Sequence, residues 1–332
     1  LDANLIAVSA AVAAALLFAF TNGFHDSANA IATSISTRAL KPRTALAMAA
    51  VGNFVGAYLG GEVAKTVADG LVELPVSDNG LIIVLAGVLG SIGWNYIAWW
   101  FGWPISASHS LLGGVAGATL VGGATVLWGG LLAKVALPTV VSPLIGFGAG
   151  FVVMLAVYWL FRKGRPDKLN RGFRHAQTIS AAAMAVGHGM QDAAKTIGII
   201  VLALYVGGYQ DSATHIQWWV YIAAALALAL GTYQGGWRII KTLGRRIIDL
   251  HPPQGFAAET VASVVLFANT QIGAPISTTH IITSSIMGVG STGGKRAVRW
   301  GVARQIVMAW ILTFPVAGLV GAIMYYPISW IF

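Results

Sequence analysis

At 332 residues, 57% hydrophobic and 9% charged, with a mean hydropathy of +0.75, the chain cannot be an ordinary soluble domain. A formal charge of +9 suggests nucleic acid, but most of the basic residues fall in four short groups between apolar runs, as loops on one membrane face do, so no nucleic-acid partner is expected. Cysteine is absent, which removes disulfide and thiolate chemistry.

The first apolar run, Leu5–Thr21, lacks a basic leader and a small-residue cleavage site and reads as a retained helix. It leads into Asn22-Gly23-Phe24-His25-Asp26-Ser27-Ala28-Asn29, then a basic group of Arg38, Lys41 and Arg43. The next run, Ala45–Val67, contains Asn53 and the stretch Gly56-Ala57-Tyr58-Leu59-Gly60-Gly61, and an acidic loop follows with Asp69, Glu73 and Asp78. Leu81–Gly102 ends in Pro104-Ile105-Ser106-Ala107-Ser108-His109-Ser110, and Val140–Phe161 closes the first half. Each of these runs approaches the roughly 20 residues a bilayer requires.

A second basic group, from Arg162 to Arg174, separates the halves. His188-Gly189-Met190-Gln191-Asp192-Ala193-Ala194-Lys195 then repeats the Asn22–Asn29 pattern, and Gly231-Thr232-Tyr233-Gln234-Gly235-Gly236, after the run Trp218–Thr232, repeats Gly56–Gly61. Arg238–Leu250 has Ile240, Leu243, Ile247 and Leu250 on one helical face and is expected to lie in the interface until Pro252 and Pro253 end it. Glu259 opens the next apolar stretch, where an acid suits the helix dipole. Pro275-Ile276-Ser277-Thr278-Thr279-His280 repeats the Pro104 motif, and the basic group Lys295, Arg296, Arg299 and Arg304 precedes the last run, Ile306–Phe332.

Three motifs recurring in one order mark a duplicated unit. The loop after the first Asp motif is basic, whereas the loop after the second carries Asp211 and neither Lys nor Arg; the loops after the two Gly motifs show the reverse. Equivalent loops on opposite sides imply two repeats related by an axis in the membrane plane. The expected fold is an all-α polytopic membrane protein with two inverted-topology repeats, broken helices and two re-entrant helical hairpins. Its divisions are 1–161, a basic cytoplasmic linker at 162–177, and 178–332, with both termini outside a plasma membrane.

Asp26 and Asp192 lie within apolar surroundings, where an ionisable group costs on the order of 2.5–3.5 kcal/mol. The adjacent Asn22-Gly23 and Gly187-His188-Gly189 are poor helix formers and are expected to break their helices there, exposing backbone groups to an ion. A buried aspartate that only ties helices together is the competing reading. Ser106, Ser108, Ser277, Thr278 and Thr279 follow a proline at a helix start, where hydroxyls and free N–H groups make an oxyanion site; plain N-capping is the alternative. His25 beside Asp26 is a proton-coupling candidate or a bonded core histidine. Lys195, in the place of Asn29, offsets Asp192, faces an anion or only stabilises packing, and His109 and His280 are read as orienting the hydroxyls.

At these residues the chain resembles the PiT family of inorganic phosphate transporters over nearly its whole length, from Phe20–Ala30 to the last helix. The resemblance implies symport of phosphate with protons or sodium, no cofactor and commonly a dimer. It places Asp26, Asp192 and both Ser/Thr tips at the phosphate and ion site. From their positions, His25, Asn29 and Gln191 are expected beside the coupling ion and Lys195, His109, His280 and Glu259 in support. Sodium-coupled members usually carry Asn where this chain has His25; in carrying His it is similar to bacterial members thought to use protons. The chain departs from the family pattern with Gln191 for Asn, Ala194 for Gln and Ala107 for a hydroxyl. A sulfate or other oxyanion permease, a passive anion channel and transport of a metal–phosphate complex remain alternatives; a serine hydrolase lacks the Gly-x-Ser-x-Gly elbow.

Overall fold

Long runs of Ala, Leu, Val and Ile with few prolines favour uninterrupted helix in an apolar solvent, where every backbone group must be bonded within its own segment. The computed structural model describes residues 3–294 and 296–332; Lys295, of the fourth basic group, lies outside them, as do Leu1 and Asp2. The helices are α1 (Ala3–Ser36), α2 (Pro42–Ala57), α3 (Gly61–Asp69), α4 (Asp78–Phe101) and α5 (Ala107–Val121), followed by α6 (Trp128–Leu131), which passes through a π turn into α7 (Leu137–Phe161). The second half holds α8 (Pro166–Val206), α9 (Trp218–Gln234), α10 (Trp237–Lys241), α11 (Pro252–Gln271), α12 (Thr278–Ser291) and α13 (Trp300–Ser329). Two short loop segments, Val72–Glu73 and Thr125–Val126, pair as a minimal antiparallel ribbon.

Among the described residues five helices are long and apolar enough to cross a membrane, and α2 with α3 makes a sixth span bent by 66°. The chain is therefore an integral membrane protein. Position in the bundle differs sharply: 94% of the most apolar window of α8 is buried, against 28% in α7 and α13, which turn Leu144, Ile311 and Leu319 outward to lipid.

The apolar core holds two large clusters and a small third one around Trp94, Ile105 and Ala309. Along α1 one cluster ends at Phe18 and the other begins at Ala28; along α8 the second ends at Ala185 and the first begins at Ala193. The two long helices thus run in opposite directions through both clusters. Between the clusters lie Asn22, His25 and Asp26 on one helix and His188, Gln191 and Asp192 on the other, all buried.

Several local expectations are corrected. Neither Asn22-Gly23 nor Gly187-His188-Gly189 breaks its helix; α1 and α8 are continuous through them. These glycines let backbones meet: a Cβ at Gly23 would fall 2.4 Å from the carbonyl oxygen of Leu228, and one at Gly189 2.4 Å from that of Asn53. The breaks fall one motif later, between α2 and α3 and at Gly235, whose φ of +78° ends α9. Glu259 sits well inside α11 rather than at its start. Pro252 and Pro253 open α11 and do not end the preceding amphipathic segment, whose helical turns stop at Arg246. Most of the 162–177 stretch is helical, forming the first turns of α8.

Candidate functional site

Each Pro-Ile-Ser motif sits between two helices that fold back on one another. Gly102 (φ +69°) ends α4 and Gly273 (φ +66°) follows α11, so the chain reverses at a residue that tolerates left-handed backbone. Ser106 and Ser277 then cap the return helices α5 and α12, their Oγ atoms accepting the N–H of His109 at 3.1 Å and of His280 at 3.2 Å. Capping therefore uses one lone pair of each hydroxyl and leaves its O–H proton to donate. Ser108, Thr278 and Thr279, in the first turns, present their hydroxyls to the polar layer.

Residues far apart in the chain converge on that layer. Single ligand atoms from Asp26, His188 and Asp192 all lie within 4.8 Å of one another. His25 Nδ1 is 2.6 Å from Asp26 Oδ1. Asp192 Oδ1 accepts Lys195 Nζ at 2.8 Å, and its Oδ2 is 3.0 Å from His188 Nε2. Apart from this ion pair, both atoms are buried without a hydrogen-bond partner. Both amide atoms of Asn22, Nε2 of His25 and Oδ1 of Asn29 are in the same condition. A concentration of unbonded buried polar atoms is expensive for a structural core and ordinary for a site that receives a polar cargo.

Two side chains join the carboxylates to the hairpin tips. Asn29 Nδ2 donates to Thr278 Oγ1 at 3.1 Å and Thr279 Oγ1 at 2.9 Å. Lys195 Nζ donates to Ser108 Oγ and, at 3.0 Å, to the carbonyl of Ile276, to which Ser108 Oγ also donates at 3.2 Å. The two tips thus meet over one ammonium group. Gln191 acts on the second hairpin alone. Its Oε1 accepts the N–H of Ile276 at 3.1 Å, and its Nε2 donates to Thr270 Oγ1 and the carbonyl of Ala274, so this amide holds the reversal of the chain there.

Three expected residues lie elsewhere. Glu259 accepts from Thr33, Gln177 (3.1 Å) and Ser180, tying α11 to α1 and α8 in a separate buried polar cluster. The rings of His109 and His280 face each other at 4.9 Å on the side of the outer helices, where His280 stacks on Trp310 at 4.0 Å and His109 Nε2 meets Thr139 Oγ1 at 2.6 Å. Their backbone N–H groups, rather than their rings, orient the capping serines.

Sequence reasoning missed His188. It lies one turn before Asp192 on α8, and its Nδ1 lies 2.8 Å from Oδ1 of Asn53, whose Nδ2 donates to Thr232 at 2.7 Å. The signal was the His-to-Asp spacing of four, which puts both on one helical face.

Residues 22–321 match the model of the phosphate transporter family. The chain is 42% identical over 334 residues, covering all of both proteins, to a probable low-affinity inorganic phosphate transporter of Bacillus subtilis (strain 168). It is 44% identical over 321 residues, 95% of this chain and 94% of the relative, to a protein of the same description from Rhizobium meliloti (strain 1021). A solved structure, described as the sodium-dependent phosphate transporter, shares the fold with a TM-score of 0.88 at 23% identity, covering 98% of this chain and 100% of that one.

Proposed function

The chain belongs to the phosphate transporter family, and we propose that it imports inorganic phosphate across a plasma membrane by symport with protons. It is a transporter and not an enzyme. The observation that carries the reading is the meeting of Asp26 and Asp192 with the hydroxyl-bearing hairpin tips around Lys195. Phosphate is a compact oxyanion rich in acceptors, and Ser106, Ser108, Ser277, Thr278, Thr279 and Lys195 supply donors. The carboxylates repel it until protons on His25, Asp26 and Asp192 reduce their charge, so anion and proton enter together. Movement of the hairpins against the remaining helices then exposes the chamber to each side in turn.

The unbroken course of α1 and α8 favours protons over sodium. Backbone carbonyls beside Asp26 and Asp192 lie within continuous helix, so few are free to ring a sodium ion. The compact Asp26–His188–Asp192 trio supports a second reading, a cation or a metal–phosphate complex as cargo. Two inverted repeats, 1–161 and 178–332, which the opposed courses of α1 and α8 support, a homodimer, and termini on the outer side complete the proposal.

Uptake of labelled phosphate into proteoliposomes tests it. An inward proton gradient drives uphill accumulation that a protonophore collapses, whereas a sodium gradient alone does not. Accumulation driven only by sodium overturns proton coupling, a requirement for divalent metal favours the complexed cargo, and equal competition by sulfate widens the substrate class.

A further inference from the structure

A groove of about 630 Å³ opens on the bundle surface between the end of α4 and the start of α13. Arg304 and Gln305 stand at one end, and Trp94, Met308 and Leu312 line the rest. Arg304 to Leu312 covers roughly 12 Å of helix, so the wall passes from a cationic end to an apolar one. A smaller recess shares Trp103 and Gln305 with it and adds Arg246 and Pro104 of the first hairpin tip. Both arginines are exposed, and neither forms an ion pair among the described residues. Trp94 is 9% exposed, and its Nε1 is a buried donor without a partner. Aromatic residues mark the depth: Arg238 lies over the rings of Trp99 and Trp100 beside the same tip, as at a membrane–water boundary.

We propose that this groove binds an anionic phospholipid, its phosphodiester held by Arg304 and Arg246 and its glycerol and upper acyl chain lying along Trp94, Met308 and Leu312. The chemistry recognised is a phosphate group, and a lipid is the source that fits. A free phosphate ion would leave the apolar wall uncovered, whereas a lipid covers both ends, and basic grooves between membrane helices suit such headgroups. A second copy of the chain is a poorer match, since of the acids near the basic loops Asp249 is held by Arg299 at 2.9 Å and Asp167 sits among Arg165, Lys168 and Arg171. The lipid phosphate would lie against Trp103 and Pro104, at the tip of the hairpin that carries Ser106 and Ser108.

Native mass spectrometry of the full chain extracted from bilayers containing phosphatidylglycerol tests the site. Retention falls about fivefold for each arginine neutralised, in Arg304→Gln and Arg246→Gln, the worth of one basic side chain against an anionic headgroup. It stays unchanged in Arg171→Gln, an exposed arginine on the first turns of α8. Equal retention by the double variant and the unaltered protein overturns the proposal. So does displacement of the lipid by excess inorganic phosphate, which marks a free-anion site, or loss of a dimer with lipid retention unchanged, which marks an interface. If the glutamine variants fail to fold, photoreactive phosphatidylglycerol on the unaltered protein decides: adducts at Gln305 or Met308 support the site, and adducts only elsewhere refute it.

Discussion

Lys195 stands one turn past Asp192 on α8 and donates to its carboxylate at 2.8 Å, while the same ammonium holds Ser108 of one hairpin and the carbonyl of Ile276 in the other. A single cation therefore links the anionic helix to both tips. The pair is 1% exposed on either side, so each charge depends on the other for its place in a poorly solvating interior.

Lys195→Met removes one member of that pair and leaves a buried carboxylate unmatched. The expected cost is about 3–5 kcal/mol of stability, measured as a lower melting temperature in detergent. Lys195→Met combined with Asp192→Asn recovers most of the stability and none of the uptake.

Asp26→Asn and Asp192→Asn each preserve side-chain shape while removing the charge and its proton. Both variants are expected to insert and to lose uphill phosphate accumulation in proteoliposomes, Asp192→Asn also losing stability much as Lys195→Met does, because it strands the buried ammonium. Full accumulation by the well-expressed double variant removes these carboxylates from the mechanism.

Gln191→Ala deletes the amide that bonds Ile276, Thr270 and Ala274. Leaving the Ile276 N–H and the Ala274 carbonyl with one partner fewer costs about 1–3 kcal/mol. The second hairpin should loosen, so a cysteine introduced at Ile276 reacts faster with a membrane-permeant thiol reagent in the variant. An unchanged labelling rate shows that the amide does not restrain the tip.

His25→Asn replaces the ring 2.6 Å from Asp26 with an amide that neither gains nor loses a proton near neutrality. If this ring helps load the coupling proton, uptake under an imposed pH gradient falls by about tenfold, somewhat less than the usual loss for a positioned acid–base group. Tests at inward proton and inward sodium gradients separately show whether the driving ion has changed or coupling is simply lost.

The pattern of residues made the membrane class, the helical hairpins and the two carboxylates legible. An acid within an apolar run, or a proline followed by hydroxyls, has few structural uses. The glycines beside the acids were less readable, because glycine weakens a helix and equally admits a neighbouring backbone. Only the position of Leu228 against Gly23, and of Asn53 against Gly189, decides between those roles. Gln191 and His188 were obscured for a related reason. An amide or imidazole is defined by what faces it, and the groups that do so, Ile276 and Asn53, are far away along the chain. Glu259 carries the opposite lesson: a charged residue within a span was visible, but its partners Thr33, Gln177 and Ser180 form a cluster of their own.

The enclosure of α8 has a consequence for biogenesis. A segment carrying His188, Asp192 and Lys195 is a poor substrate for direct release into lipid, and the helices that shelter it, α1 and α2, are synthesised earlier. Stable integration is expected to need those earlier neighbours first and then α11, made later, whose Thr270 and following turn bond Gln191. A second half expressed alone should accumulate as a misinserted, degradation-prone product, and co-expression of the first half should rescue it.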